Sequence, residues 1–441
     1  MTHSALRLCL LLATALPAFA QTLKQTLPNG MTVIVREDKR APVVNSQLWY
    51  RVGSVDEKVG KSGLSHALEH MMFKGTADVP AGEFSRRISA MGGNDNAYTS
   101  ATETVYHETF AKQHLPEVLR LEADRMRNLN FSDKDFINEM KVIREERRQR
   151  IDDNPMGSIY EQLHLRAFDK APNRTAVIGT MKDLHGLKAA DLRRWYRQWY
   201  APNNATLVIV GDVDARAVVQ NVTDLFGGIS PTKLPARADL SETEQKKAAV
   251  SSHTVGNTQQ PIMMLAYRVP HLQKLDDKLP YALDMLTNIL DGHSAARFDK
   301  NLIRGKQMAL EIGTYYSLIS RQPQMWTVSA MPAANVQAAE LRRAIEAEIA
   351  DIAANGVSEE ELERARVRER SATIYSRDNI ENQASLIGTL ETNGFAYSDE
   401  DEIRRRLQAV SAADIQAAAQ LLTDPRRAVY LQLNPRPQAK R

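Results

Sequence analysis

The sequence predicts an α+β protein of two similar domains, each an antiparallel-rich sheet with a layer of helices on one face. Three observations carry that prediction. A segment recurs: "LKAADLRRWYRQWYAPNNATLVIV" (187–210) and "VSAADIQAAAQLLTDPRRAVYLQL" (410–433) share an apolar-x-Ala-Ala-Asp-apolar start, a helix, Pro202 or Pro425, and an apolar strand. Asp191 and Asp414 lie 223 residues apart, about half of the 441-residue chain, which suits duplicated halves rather than a solenoid. Extended runs come in pairs followed by several long helices. Finally, 43% hydrophobic and 25% charged residues make a globular composition long enough for two substantial domains. A net charge of +3 gives no argument for nucleic acid or an acidic partner.

Residues 1–20 read as a secretory signal peptide. His3 and Arg7 precede an apolar run from Leu8 to Leu16, then Pro17 and an Ala18-Phe19-Ala20 cleavage signal. That run is too short to span a bilayer, and no later run is long and apolar enough. The only cysteine, Cys9, lies within it, so the mature chain has neither disulfides nor thiolate ligands. The expectation is a soluble exported protein, periplasmic or secreted.

The first domain, 21–226, opens with strands at 31–38 and 44–54 around a turn at Lys39–Pro42. Residues 96–110, rich in Thr, Val, Tyr and Phe, are also extended. Helices are expected over 113–129 and 132–152. A linker follows at 227–247, rich in Pro, Ser and charge and without periodicity. The second domain, 248–441, repeats the theme: strands near 248–256 and 262–268, helices near 277–290 and 335–353, three more helices, and the last strand.

One helix carries chemistry. "GLSHALEHMMFKGT" (63–76) is expected to be helical from about Gly63 to Phe73, with Ser62 or Ser65 as its cap and Gly75 as its stop. Residues four apart share a helix face, so His66 and His70 project side by side with Glu69 next to them. Two imidazoles one turn apart suit tetrahedral zinc, and a neighbouring carboxylate can take a proton from water at the metal. The spacing His-x-x-Glu-His is the inverzincin signature.

A catalytic zinc site needs a third protein ligand. Cysteine is excluded, and the helix "SDKDFINEMKVIREERRQRIDDNP" offers Glu139, Glu145 and Glu146. Phe136, Glu139, Val142, Ile143 and Glu146 share one face, whereas Glu145 falls with Asn138, Lys141, Arg148 and Gln149. A carboxylate on an apolar face needs a partner or a metal. Glu146 is therefore the expected third ligand, and Glu139 stands behind it to orient a ligand. His293, isolated in "LDGHSAARF", reads as a loop or cap residue.

With these residues the chain resembles the pitrilysin family of zinc peptidases. The family motif, His-x-x-Glu-His and a glutamate 76 residues after the second histidine, falls on His66, Glu69, His70 and Glu146, with the family's glutamate seven earlier at Glu139. "LPNGMTVIV" (27–35), "GGNDNAYTSATETVYHE" (92–108), "IGTMKDL" (178–184) and "WYAPNNATLVIVGDVD" (199–214) resemble further family blocks. The resemblance implies a zinc-dependent endopeptidase with one Zn2+ per chain and Glu69 as general base. It also implies a half-clamshell that dimerises around a chamber for unfolded peptides. Asn96, Ala97 and Thr99 match the strand that pairs with the substrate backbone.

The second half departs from the family. It lacks a second His-x-x-Glu-His, and where an Arg and a Tyr seven residues later polarise the scissile carbonyl, "LIRGKQMALEIG" keeps Arg304 but has Glu311. Ionised glutamate cannot donate to an oxyanion. Tyr315 or Tyr316 substitutes through a shifted register, or the pair comes from another subunit. The second favours a heterodimer with a zinc-less homologue that keeps Arg and Tyr; a homodimer is the competing arrangement. The alternative function is a non-catalytic or peptide-binding partner subunit of a related peptidase complex.

Overall fold

The structure is a computed structural model describing residues 22–242, 250–256 and 258–436. The signal segment lies outside these residues. The strands are β1 (Thr22–Thr26), β2 (Thr32–Glu37), β3 (Val43–Tyr50), β4 (Asn94–Thr99), β5 (Thr104–Ala111) and β6 (Ala205–Gly211) in the first half. The second half holds β7 (Val250–Gly256), β8 (Ile262–Val269), β9 (Ala309–Tyr315), β10 (Gln324–Pro332) and β11 (Ala428–Pro435). The first-half helices are α1 (Leu64–Met71), α2 (Glu83–Ala90), α3 (Leu115–Asn128), α4 (Asp133–Arg147), α5 (Pro155–Ala167), α6 (Ala171–Arg174), α7 (Met181–Gly186), α8 (Ala189–Trp199) and α9 (Ala215–Phe226). Then come α10 (Lys278–Leu290), α11 (Ala338–Asn355), α12 (Glu359–Asp378), α13 (Ile380–Thr392), α14 (Glu400–Gln408) and α15 (Ala412–Leu422).

The duplication inferred from the repeat is visible in the topology. The first sheet runs β1-β2-β6-β3-β5-β4 and the second β7-β11-β8-β10-β9. In both, the first strand of the shared set lies parallel to the last: β2 with β6 and β7 with β11. β3 and β8 then pair antiparallel with those last strands. The recurring segment is α8, Pro202 and β6 in one half, and α15, Pro425 and β11 in the other.

Alternation along each strand buries both faces. Val33, Val35, Leu48, Leu207 and Ile209 point into the core under the helices of the first half. Their neighbours Ile34, Trp49, Val208 and Val210 point the other way and meet Ala384 and Ile387 of α13, from the second half. The exchange is reciprocal. Ile159, Leu163 and Ala167 of α5 and Phe168 just after it, from the first half, cover Met264, Ala266, Val429 and Leu431 of the second sheet. Each half thus lends the other a helix, which explains why these strands read as continuous apolar runs. Asp56 adds a polar tie, gripped by Arg237 at 2.9 Å and by Arg321 at 2.8 Å.

The α13 contact is tight. A Cβ at Gly388 would sit 2.0 Å from Cε2 of the Trp49 indole. Gly388→Ala should therefore destabilise the protein by about 1–3 kcal/mol, as overpacked cores do, read as a lowered midpoint in denaturant.

Some local expectations need correction. Residues 96–110 are not one strand but the hairpin β4–β5, because Ser100–Glu103 closes a turn with Ser100 N–H donating to Glu103 O at 2.8 Å. The strands β1, β9 and β10 escaped the pattern reading, and four helices rather than three separate α11 from β11. The helix expected over 132–152 is regular only to Arg147 and continues as a π-helical turn at Arg148–Asp152. Residues 230–242 have no regular structure yet are tied down: Arg237 holds Asp56, and Glu242 accepts from the Asp169 and Lys170 amides. Among the described residues no helix is long and apolar enough to cross a membrane.

Candidate metal centre

The histidine helix α1 begins at Gly63, whose φ of 85° lies in the left-handed region. A Cβ there would also meet Ile178 O at 2.6 Å, so glycine is required twice over. Neither Ser62 nor Ser65 caps the helix. Ser62 Oγ instead donates to Asp183 at 2.6 Å. The cap is Glu57, whose two carboxylate oxygens accept from the Gly63 and Ser65 amides at 2.8 and 2.7 Å. An acid six residues before the helix lies outside the usual capping window, so sequence reasoning missed it. Glu57→Ala should cost about 1–2 kcal/mol of stability, the value of a lost helix cap, measured by denaturant unfolding.

Leu64, Ala67, Leu68 and Met71 anchor α1 in the core. His66 is buried, Glu69 is buried and His70 is half-buried. Facing them is α4, started by Ser132, whose hydroxyl accepts from the Asp135 amide. Its core face is Phe136, Met140, Ile143 and Arg147. Val142, expected on that face, is 52% exposed. Glu139 and Glu146 flank the stripe at half-buried positions, while Glu145 is exposed as its periodicity required. Arg147 bolts the end of α4 in place, donating to Glu161 at 2.6 Å and to Gly179 O at 2.7 Å.

These elements bring His66, His70 and Glu146 together, with one ligand atom from each lying within 4.8 Å of the other two. Oε2 of Glu146 is 3.4 Å from His70 Nε2 and 3.7 Å from His66 Nε2. Ligands about 2.1 Å from a tetrahedral ion lie about 3.4 Å apart, so zinc fits with modest side-chain movement. The polar bookkeeping agrees: Glu146 Oε2 is buried without a hydrogen-bond partner, which a native structure rarely tolerates unless something else satisfies it. Arg150 holds the other oxygen, Oε1, at 3.0 Å.

Glu139 lies behind His70, on the side away from Glu146. Its Oε1 lies 2.9 Å from His70 Nδ1, and Lys74 pairs with its Oε2. The hydrogen bond from His70, opposed by burial and helped by Lys74, holds the Glu139 carboxyl down at about 2. Burial works against charge on His70, but its contacts with Glu139 and Glu146 outweigh that and raise its pKa to about 9. Burial, reinforced by the charge of His70, pushes His66 down to about 4. A cation held by these side chains would take over the role of the His70 proton and displace it. His66 Nδ1 is buried without a partner, so only one of the two rings is oriented from behind. Glu139→Ala should weaken metal binding about 10- to 100-fold, measured by competition with a chelator.

Burial raises the pKa of Glu69, and the Thr99 hydroxyl opposes this by donating to its Oε2 at 2.5 Å. Thr99 was expected to contact peptide; its link to Glu69 was not foreseen, because residues 30 apart in sequence carry no shared period. Asn96 is exposed on β4, and its Oδ1 accepts from the Ala97 amide at 2.8 Å.

Among the described residues, the second half contributes nothing to this group. Arg304 engages Asp299 and the Ser294 carbonyl of its own segment. Tyr316 is committed to the core, its hydroxyl donating to Pro270 O at 2.7 Å. Glu311 and Tyr315 are exposed on β9. His293 accepts from the Ala295 amide, a cap-like contact.

Residues 32–181 match the family model of insulinase, peptidase family M16, and residues 186–368 match that of the peptidase M16 inactive domain. The zinc protease PqqE of Helicobacter pylori is 28% identical over 366 residues, covering 82% of this chain and 81% of that protein. A crystal structure of a protease from Helicobacter pylori superposes with a TM-score of 0.88 at 24% identity, covering 95% of this chain and all of that one. The periplasmic protease PqqL from Escherichia coli gives a TM-score of 0.78 at 22% identity; the match covers 95% of this chain but 48% of PqqL. At such identities the structural likenesses speak for the fold.

Proposed function

The chain belongs to the insulinase (M16) peptidase family, and on that footing we propose that it is a zinc-dependent endopeptidase acting on unfolded peptides. The observation that carries this reading is the convergence of His66, His70 and Glu146 from two separate helices, with the Glu69 carboxylate on the same turn. These three side chains would hold one Zn2+. The ion would supply a Lewis acid that polarises a peptide carbonyl and makes water more acidic.

The chain's own residues do the rest. Glu69 takes the proton of the attacking water and delivers it to the leaving amine nitrogen. Thr99, bound to Oε2, leaves Oε1 for that transfer. Burial favours the neutral carboxyl of Glu69, which suits a group that must carry a proton between two partners. β4 is the last strand of its sheet, with pairing to β5 on one side. A peptide can therefore add as a further strand along Asn96, Ala97 and Thr99, taking the Ala97 amide now satisfied by the Asn96 side chain.

The proposed organisation is a signal peptide over 1–20, a zinc-binding domain over 21–226, a linker over 227–247 and a zinc-less homologous domain over 248–441. Likeness to half of a periplasmic protease supports export to the periplasm and a dimer that completes the clamshell. With Glu311 where the family has a tyrosine, a heterodimer with an Arg- and Tyr-bearing homologue is preferred to a homodimer. The reading is tested by metal analysis and a quenched-peptide assay, on the chain alone and with its partner. Turnover that chelator abolishes and added zinc restores is expected. Bound zinc without turnover in either preparation identifies a peptide-binding subunit instead.

A further inference from the structure

A cavity of about 270 Å³ lies where the two halves meet, at the end of the proposed peptide-binding strand. Its floor is aromatic. Tyr160 and His164 of α5 and Phe168 just past its end follow one another at i, i+4 and i+8, with neighbouring ring centroids 5.1 and 5.6 Å apart. Tyr315, at the end of β9, and Met325 of β10 line it from the second half. Glu103, from the β4–β5 turn, adds a negative charge to the wall, its two carboxylate oxygens accepting from the Ser100 and Thr102 hydroxyls. Tyr160 and Tyr315 are 40% and 57% exposed, an unusual amount of uncovered aromatic surface. His164 Nδ1 lies 3.3 Å from Asn173 O, and burial lowers its pKa, so the ring is neutral at pH 7.

The location ties the cavity to the metal group. Thr99 touches Glu69, and the next residues, Ser100–Glu103, form both the hairpin turn and one wall of the cavity. A peptide strand advances about 3.3 Å per residue, so a chain leaving β4 past Thr99 reaches the cavity within about two to four residues. Antiparallel pairing, the more stable arrangement, puts the amino-terminal side of the substrate at that end. We propose that this cavity is a subsite holding an aromatic side chain of the peptide, about two to four residues before the scissile bond. The proposal rests on the peptidase reading above. Rings and a thioether favour an aromatic guest through edge and stacking contacts. The negative charge of Glu103, held in the turn by Ser100 and Thr102, repels an acidic side chain.

The test uses the zinc-loaded protein, with its partner where one is required, and quenched peptides of one sequence. These carry Tyr, Phe, Ala, Arg or Asp at each of the three positions in turn. Aromatic peptides should exceed the alanine peptide in kcat/KM by about tenfold at one position. Tyr160→Ala and Tyr315→Ala, both at exposed sites that tolerate truncation, should each shrink that ratio to below about threefold. No aromatic preference, a stronger preference for Arg, or a ratio unchanged in both variants overturns the subsite while leaving the peptidase reading intact. Failure to cleave any of the peptides overturns the peptidase reading, and the subsite with it.

Discussion

Glu69→Gln should leave one zinc bound per chain and lower kcat by about a thousandfold. Glutamine keeps the shape of the side chain and can still accept from the Thr99 hydroxyl, so the fold of α1 and the histidines on it are undisturbed. What disappears is the ability to take a proton from water and return it to the leaving nitrogen. KM should change little, because Glu69 is asked to act in the transition state rather than in substrate binding. The check is metal content by elemental analysis beside steady-state kinetics on the same sample. A variant that retains zinc and cleaves at the wild-type rate removes Glu69 from its role.

Glu146→Gln acts at a different step. It replaces the anionic oxygen nearest both imidazoles with a neutral amide and leaves Arg150 without its carboxylate. Zinc affinity should fall by at least about a hundredfold, the upper end of what supporting residues alone contribute. Activity should then track zinc concentration and return in part when zinc is in excess, which Glu69→Gln cannot do. Glu146 is half-buried and outside the core stripe of α4, so thermal stability in the absence of zinc should change little. Equal zinc affinity in the variant and the parent rules out Glu146 as a ligand.

Much of this site could be read from residue spacing. His66, Glu69 and His70 need only one helical turn, and Glu139 and Glu146 need only the period of α4. Both are local properties: His66, His70 and Glu146 converge, Glu139 lies against His70, and Glu69 shares the helix α1 with the two histidines. The period was nevertheless imperfect: Val142 was assigned to the buried face and is exposed, because the stripe follows Met140 and Arg147 instead. Arg147, buried and held by Asp152, Glu161 and Gly179 O, is invisible to a reading that treats charge as surface.

What escaped was non-local. Glu57 caps α1 from outside the helix, Thr99 reaches Glu69 from a strand, and the exchange of α5 and α13 between halves depends on which sheet face each helix meets. The hairpin turn at Ser100–Glu103 was missed for another reason. It lacks glycine, proline and asparagine, and is closed by Ser100, Thr102 and Glu103 bonding among themselves.

The central claim is that one zinc ion is shared by His66, His70 and Glu146. The most direct measurement is an anomalous difference map at the zinc edge from crystals of the zinc-loaded protein. A single strong peak about 2.1 Å from Nε2 of both histidines and Oε2 of Glu146 is the predicted result. A peak elsewhere, or a peak bonded to the histidines with Glu146 turned away to solvent, would contradict it.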